Sequence, residues 1–248
     1  MKLKNKIAAV TGGNSGIGFA AARELKDNGA RVVIIGRNPE AVSKAATEIG
    51  GDTMGVTADV SRVADLKRAF QTIREKAGRV DILFVNAGIA QFAPIADSSE
   101  ELFDAMTDTN FKGAYFTIQN ALPLMPDGAA IVITSTTAVH FGMPGASVYA
   151  AGKSALNSLA RTLAIELAGR RIRVNVISPG PIATPIFGKM GMPKEMLDQV
   201  AGGMLRQVPL NRFGEAGEIA KGVLFLLSND SSFMTGQELV VDGGLAQL

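Results

Sequence analysis

The sequence predicts a doubly wound α/β fold, a parallel sheet of about seven strands with helices on both faces. Three observations carry this expectation. Short runs of β-branched and aliphatic residues recur at 6–11, 31–36, 52–59, 81–86, 129–135, 171–178 and 237–243, mostly without the polar alternation of a half-exposed strand. Between them lie segments such as "GIGFAAARELKDNG" and "PEAVSKAATEIGG", apolar at three- and four-residue spacing and closed by glycine, as amphipathic helices are. A glycine-rich stretch joins the first run to the first helical segment, where such folds bind ligands.

Taken in order, each strand run is followed by a helical segment, which makes βαβ units and a parallel sheet. No linker, repeat or low-complexity stretch divides the 248 residues, so one domain over 1–248 is expected. Only the region 186–214, "IFGKMGMPKEMLDQVAGGMLRQVPLNRFG", interrupts the alternation, with Met190, Met192, Met196 and Met204 among glycines and prolines. It reads either as an amphipathic helix pair with methionine as core filler or as a small helical lid over an apolar ligand.

Composition removes several function classes. Lys and Arg exceed Asp and Glu by only two, leaving no electrostatic case for nucleic acid or a membrane surface. With no cysteine and a single histidine, His140, thiolate and multi-histidine metal sites are excluded, and no metal is expected. No stretch approaches the roughly 18 apolar residues of a transmembrane helix. The apolar run after "MKLKNK" is too short for a signal-peptide core, so a soluble, cytoplasmic protein is expected. A hydrolase nucleophile elbow, G-x-S-x-G, is absent.

The loop "TGGNSGIG" (11–18) follows the first strand and opens the first helix. Glycines there let the chain turn tightly and bring backbone N–H groups against a pyrophosphate, while the helix N-terminus favours negative charge. The expected cradle is Gly12, Asn14, Ser15, Gly16, Ile17 and Gly18, in a Rossmann-type arrangement spaced G-x-x-x-G-x-G. At the end of the second strand, "VVIIGRNPE" puts Gly36 where an acid would bind the ribose hydroxyls of NAD, followed by Arg37 and Asn38. Without that carboxylate nothing repels a 2′-phosphate, and a guanidinium offers it forked donors, so NADP(H) is expected over NAD(H).

These motifs, with "NAG" (86–88), Asn110, the Ser135–Thr136 pair, "YAAGK" (149–153) and "PG" (179–180), resemble the short-chain dehydrogenase/reductase family over essentially the whole chain, in its common form of about 250 residues. The resemblance implies that Tyr149 is the general acid/base and that Lys153 lowers its pKa and holds the nicotinamide ribose. The residue chemistry agrees, because a phenol titrating near 10 needs a neighbouring cation to work at neutral pH, and Lys153 at i+4 shares its helix face. The family's carbonyl-binding serine falls on Thr136 by spacing, or on Ser135 if a loop differs by one residue. Asn110 matches the asparagine that bends its helix and holds a water beside the lysine. Asp59 and Val60 match the pair flanking adenine, and Asn86, Ala87 and Gly88 the turn beneath the cofactor. Pro179, Gly180, Ile182 and Thr184 match the stretch over the nicotinamide. Gly152 departs from the family's usual Ser or Thr, and close packing against another helix would account for it.

Residues expected to face substrate are Gln91, Phe92, Val139, His140, Phe141, Met143, Phe187, Met190 and Met192. They are mostly apolar and include no arginine, which favours a neutral hydrophobic ketone or its alcohol. His140 reads equally as a loop residue without a chemical task. Acyl-carrier-protein-linked 3-oxoacyl reduction is the alternative, with a catalytically silent NADP(H)-binding regulator as a further reading. Enoyl reductases of the family space the tyrosine and lysine more widely. The resemblance implies a homotetramer or homodimer.

Overall fold

The computed structural model describes residues 1–185 and 202–246. Its strands are β1 (Ile7–Thr11), β2 (Arg31–Gly36), β3 (Met54–Thr57), β4 (Ile82–Val85), β5 (Ala130–Thr134), β6 (Arg173–Pro179), β7 (Ile182–Ala183), β8 (Gly214–Glu215) and β9 (Glu238–Val241). Seven of them form one parallel sheet in the order β3-β2-β1-β4-β5-β6-β9. All seven apolar runs of the sequence are strands of this sheet. The strand order reverses between β1 and β4, which leaves a crevice at their carboxyl ends.

The side-chain period of two divides each strand between the sheet's faces. Val33 and Ile35 of β2 join a core with helices α3 (Val63–Ala77), α5 (Gly113–Ala121) and α6 (Ser147–Glu166). Val32 and Ile34 join the opposite core with α1 (Gly16–Asp27), α2 (Pro39–Ile49) and α7 (Ala216–Leu227). Every residue of β4 and β5 is buried, which explains why those runs carry no polar alternation.

Local chemistry fixes the element ends. Asn38 accepts a hydrogen bond from Ala41 N at 2.8 Å and Pro39 follows it, so α2 starts directly after β2. Helix α4 (Glu100–Thr107), capped by Ser99, runs into α5 through one wider π-helical turn, Asp108–Lys112. Arg173 at the start of β6 donates to Leu226 O and Ser228 O at 2.9 Å each, placing a cation on the C-terminal carbonyls of α7. Glu215 and Glu218 form a capping box at the other end of that helix.

The sequence reading did not anticipate the two-stranded parallel ladder in which Ile182 pairs with Gly214 and Ala183 with Glu215. It holds together the two ends of the segment expected to be a lid. Of that segment, 186–201 lies outside the described residues, while 202–207 is helical.

Gly152 lies within α6, and a Cβ there would meet nothing within 4 Å, so packing inside the chain does not require glycine. Gly152→Ala should therefore stabilise the chain by about 1 kcal/mol, the helix-interior cost of glycine, and raise the thermal midpoint by roughly 2–4 °C. A lowered midpoint in a melting experiment would show that the open space at this position is needed.

Candidate active site

The carboxyl ends of the strands open into a cavity of about 850 Å³. One end is the glycine loop. Gly12 (φ +66°) and Gly16 (φ +55°) hold backbone conformations that favour glycine. A Cβ on Gly18 would stand 2.2 Å from Gly12 O, so Gly18 works beneath the loop and does not line the cavity. Ser15 occupies the N-cap of α1 without a side-chain hydrogen bond to it, and Ser15, Gly16 and Ile17 line the cavity. The free first-turn N–H groups thus open onto it, a cradle of the kind that accepts phosphate. Thr184 stands over this loop, its Cβ 3.4 Å from where a Cβ of Gly16 would be.

Asn14, Arg37, Asn38, Asp59 and Val60 line the adenosine end expected from the sequence. Arg37 makes no ion pair among the described residues. The side chain of Asn38 is committed to capping α2, and Asp59 accepts from Ser61 N and Oγ. Gly36 lies tight against its neighbours, since a Cβ there would meet Asn14 Oδ1 at 2.5 Å and Val42 Cγ2 at 2.8 Å. The cavity floor is Asn86, Ala87 and Gly88. Asn86 N donates to Thr11 Oγ1 (2.9 Å) and Thr134 Oγ1 donates to Asn86 Oδ1 (3.3 Å), so β1, β4 and β5 end in register. Pro179, Gly180 and Ile182 complete the wall. The residues fit a nicotinamide dinucleotide, in volume, phosphate cradle and unpaired cation.

Tyr149 and Lys153 sit one turn apart on α6, both lining the cavity. The Lys153 ammonium is buried and donates to Thr134 O at 2.8 Å, and burial pulls its pKa down from 10.5 to about 8. Burial raises the Tyr149 phenol above its ordinary value, and the Thr136 hydroxyl beside it draws it part of the way back.

Thr136 and Ser135 play different parts. Ser135 Oγ is spent on Lys153 O at 3.2 Å, tying β5 to α6. Thr136 lines the cavity beside the phenol and caps the short turn after it, accepting from Ala138 N. Asn110 lies behind the wall in the π turn, accepting from Ile89 N and donating to Ile89 O at 2.9 Å each. A Cβ on Gly88 would lie 3.0 Å from Asn110 Oδ1 and 3.6 Å from Lys153 Nζ, which places the three together.

Of the expected substrate-facing residues, Phe92, Phe141 and Met143 line the cavity; Gln91, Val139 and His140 do not. His140 Nε2 meets Glu238 Oε1 at 2.9 Å, with Ser178 bonded to the same carboxylate, so it braces the loop after β5 against β9. Phe187, Met190 and Met192 lie outside the described residues. Met204 and Gln207 from the expected lid do line the cavity, as does Leu245, for which the sequence carried no signal. No cluster of three metal-ligating side chains occurs among the described residues, nor a helix long and apolar enough to cross a membrane.

Comparison with known proteins gives one consistent answer. A family model described as enoyl-(acyl carrier protein) reductase matches residues 12–246. An oxidoreductase of Sarocladium schorii is 41% identical, covering 100% of this chain and 98% of its own. Carbonyl reductase family member 4 of Danio rerio is 37% identical (98% and 99% covered), and the 3-oxoacyl-[acyl-carrier-protein] reductase of Thermotoga maritima 36% (99% and 99%). Among solved structures, a short chain dehydrogenase/reductase family protein superposes with a TM-score of 0.88 at 40% identity, covering all of both chains. A blue fluorescent protein in complex with NADPH gives 0.91 at 31% (99% and 100% covered). A 3-ketoacyl-(acyl-carrier-protein) reductase from Brucella melitensis complexed with NADH gives 0.90 at 30% (98% and 99%).

The burial of Lys153 has a stability consequence. A lysine whose folded pKa is about 8 against an ordinary 10.5 opposes folding fully below pH 8, and the penalty fades between pH 8 and 10.5. Lys153→Met should thus stabilise the chain by about 1–3 kcal/mol at pH 7, with the gain shrinking as pH rises to 10. Denaturant unfolding of both proteins at pH 7 and pH 10 measures it; a gain independent of pH would contradict the charge argument.

Proposed function

We propose a reaction for this chain, which belongs to the short-chain dehydrogenase/reductase family: an NADP(H)-dependent transfer of hydride between nicotinamide and a neutral, hydrophobic ketone or its secondary alcohol. The observation that carries it is the Tyr149–Lys153–Thr136 constellation at the apolar end of a dinucleotide-sized cavity. The bound nicotinamide supplies the hydride in one direction and accepts it in the other. In reduction Tyr149 Oη gives its proton to the substrate oxygen as the carbonyl carbon becomes saturated; in oxidation it takes the proton back. The Thr136 hydroxyl, beside the phenol and not otherwise committed to the sheet, donates to the carbonyl. Ser135 holds Lys153 in place, Lys153 holds the ribose, and Asn110 keeps the loop behind the lysine fixed.

NADP(H) is favoured over NAD(H) by the unpaired Arg37 and by the absence of room at Gly36 for an acidic side chain. Relatives bound to NADPH and to NADH are both known, so the cofactor preference rests on those residues. A ketone is favoured by Phe92, Phe141 and Met143 around the reacting end. Reduction of a 3-oxoacyl thioester is the second reading, favoured by the resemblance to 3-oxoacyl reductases. The chain is read as one cofactor-binding domain over 1–248, with 186–214 as its substrate lid, acting in the cytoplasm. Exposed Phe103, Tyr115 and Ile165 on α4, α5 and α6 favour a homotetramer or homodimer.

The test follows NADPH and NADH absorbance with aryl and alkyl ketones, keto esters and 3-oxoacyl thioesters. Tyr149→Phe should lower kcat about 10²–10⁴-fold. Thr136→Val should lower it about 10²-fold, with Thr136→Ser retaining most activity. Arg37→Ala should raise the KM for NADPH about 10–100-fold and leave that for NADH nearly unchanged. Equal use of both cofactors by the parent protein would remove the Arg37 argument, and full activity of Tyr149→Phe the whole mechanism.

A further inference from the structure

Tyr149 stands in the first turn of α6, where backbone N–H groups lack intrahelical partners. Ala146 at the N-cap offers no capping side chain, so the position of the phenol depends on tertiary contacts. Thr136 lies beside the hydroxyl end, in the same cavity wall. The ring itself meets Phe92 edge to face, with centroids 5.7 Å apart and planes at 72°. Phe92 is delivered by the loop after β4, and its neighbour Ala93 donates from N to Gly145 O at 2.9 Å, just before α6. Gly145 takes φ +78° to turn the chain there, and a Cβ at that residue would lie 3.6 Å from the Ala93 backbone. Ser98 Oγ closes the same loop on Pro94 O at 3.1 Å. The ring contact and the backbone bond form a two-point clasp between this loop and the uncapped start of α6.

We propose that Phe92 is a positioning residue for Tyr149, fixing the angle of the ring and keeping water from the phenol. This rests on the reading of Tyr149 as the proton-transfer group. The contact does what the missing cap does not: it restricts the first helical turn so that the phenol stays beside Thr136. It also shields one side of the ring with apolar surface, consistent with the burial that raises the phenol pKa. The titratable neighbour on the same helix is Lys153, bound to Thr134 O, while His140 on the loop after β5 is bound to Glu238 outside the cavity wall. Asp59 and Arg37 line the cavity's far end, and the loop 89–94 carries no titratable side chain.

The composition of the chain allows a direct test. There are two tyrosines and no tryptophan, so in a Tyr115→Phe background the ultraviolet phenolate absorbance reports Tyr149 alone. In that background Tyr149 should titrate above the ordinary value of about 10. Adding Phe92→Ala should lower the midpoint by about one unit as water reaches the ring. Phe92→Leu, which keeps apolar bulk without the ring, should leave the midpoint within a few tenths of the parent and serves if the alanine variant does not fold. In turnover, both Phe92 variants should lose kcat about tenfold, with a smaller change in KM, because a displaced base affects the chemical step more than binding. An unchanged Tyr149 midpoint in Phe92→Ala with an unchanged kcat and a raised KM would make Phe92 a pocket wall only and overturn the proposal. Failure of the underlying reading shows separately, as retained activity in Tyr149→Phe.

Discussion

The burial of one ammonium organises the Tyr149 end of the cavity. Lys153 Nζ sits out of solvent with Thr134 O as its hydrogen-bond acceptor. A charge so placed costs free energy unless its surroundings compensate. The compensation is built from several elements at once. Ser135 Oγ returns a hydrogen bond to the lysine's own carbonyl, so the end of β5 and α6 are joined twice through adjacent residues. Gly88 leaves the space that lets the ammonium and Asn110 approach the turn after β4. Asn110 binds both backbone groups of Ile89 and fixes that turn. Moving any of these would move the lysine, and with it the helix that presents Tyr149.

The opposite end of the cavity is organised by exclusion. Gly36 lies under Asn14 and Val42 at distances that admit no side chain without rearrangement. A strand-end glycine there therefore reflects packing as well as ligand preference. Arg37, one residue on, is free of that crowding and free of ion pairs among the described residues, so its charge is available to a ligand. The two ends differ in their physics: around Tyr149 and Lys153 desolvation shifts proton affinities, and at Arg37 a charge stands accessible.

How much of this was legible in the sequence follows from what each feature depends on. The seven sheet strands were readable because burial on both faces writes an unbroken apolar run into each. Tyr149, Lys153, Arg37 and the glycine loop were readable because fixed spacing places them. The choice between Ser135 and Thr136 was not, since both are small hydroxyls one residue apart. It turns on which way successive side chains face after β5, and there Ser135 points to the Lys153 carbonyl and Thr136 to the phenol. Spacing left His140 open between the cleft and a loop without a chemical task. Its distance from Thr136 put it near the cleft, but the carboxylate of Glu238, nearly a hundred residues away in sequence, captures it. Leu245 was invisible for the same reason: only the tertiary fold brings it to the cavity. Gly18 was assigned to the ligand, whereas its missing side chain serves Gly12.

The short ladder between β7 and β8 has a consequence for how such a protein diversifies. Ile182 pairs with Gly214, and Gly214 N donates to Pro181 O, so the two ends of the span between them are held together. For a segment already closed, lengthening adds little chain entropy, about 0.6 kcal/mol per doubling. Additions to that span therefore cost the sheet little, while buried Val208 and the bond from Leu210 N to Gly243 O tie its described part to the chain after β9. Change within that span can thus leave the glycine loop and α6 where they are.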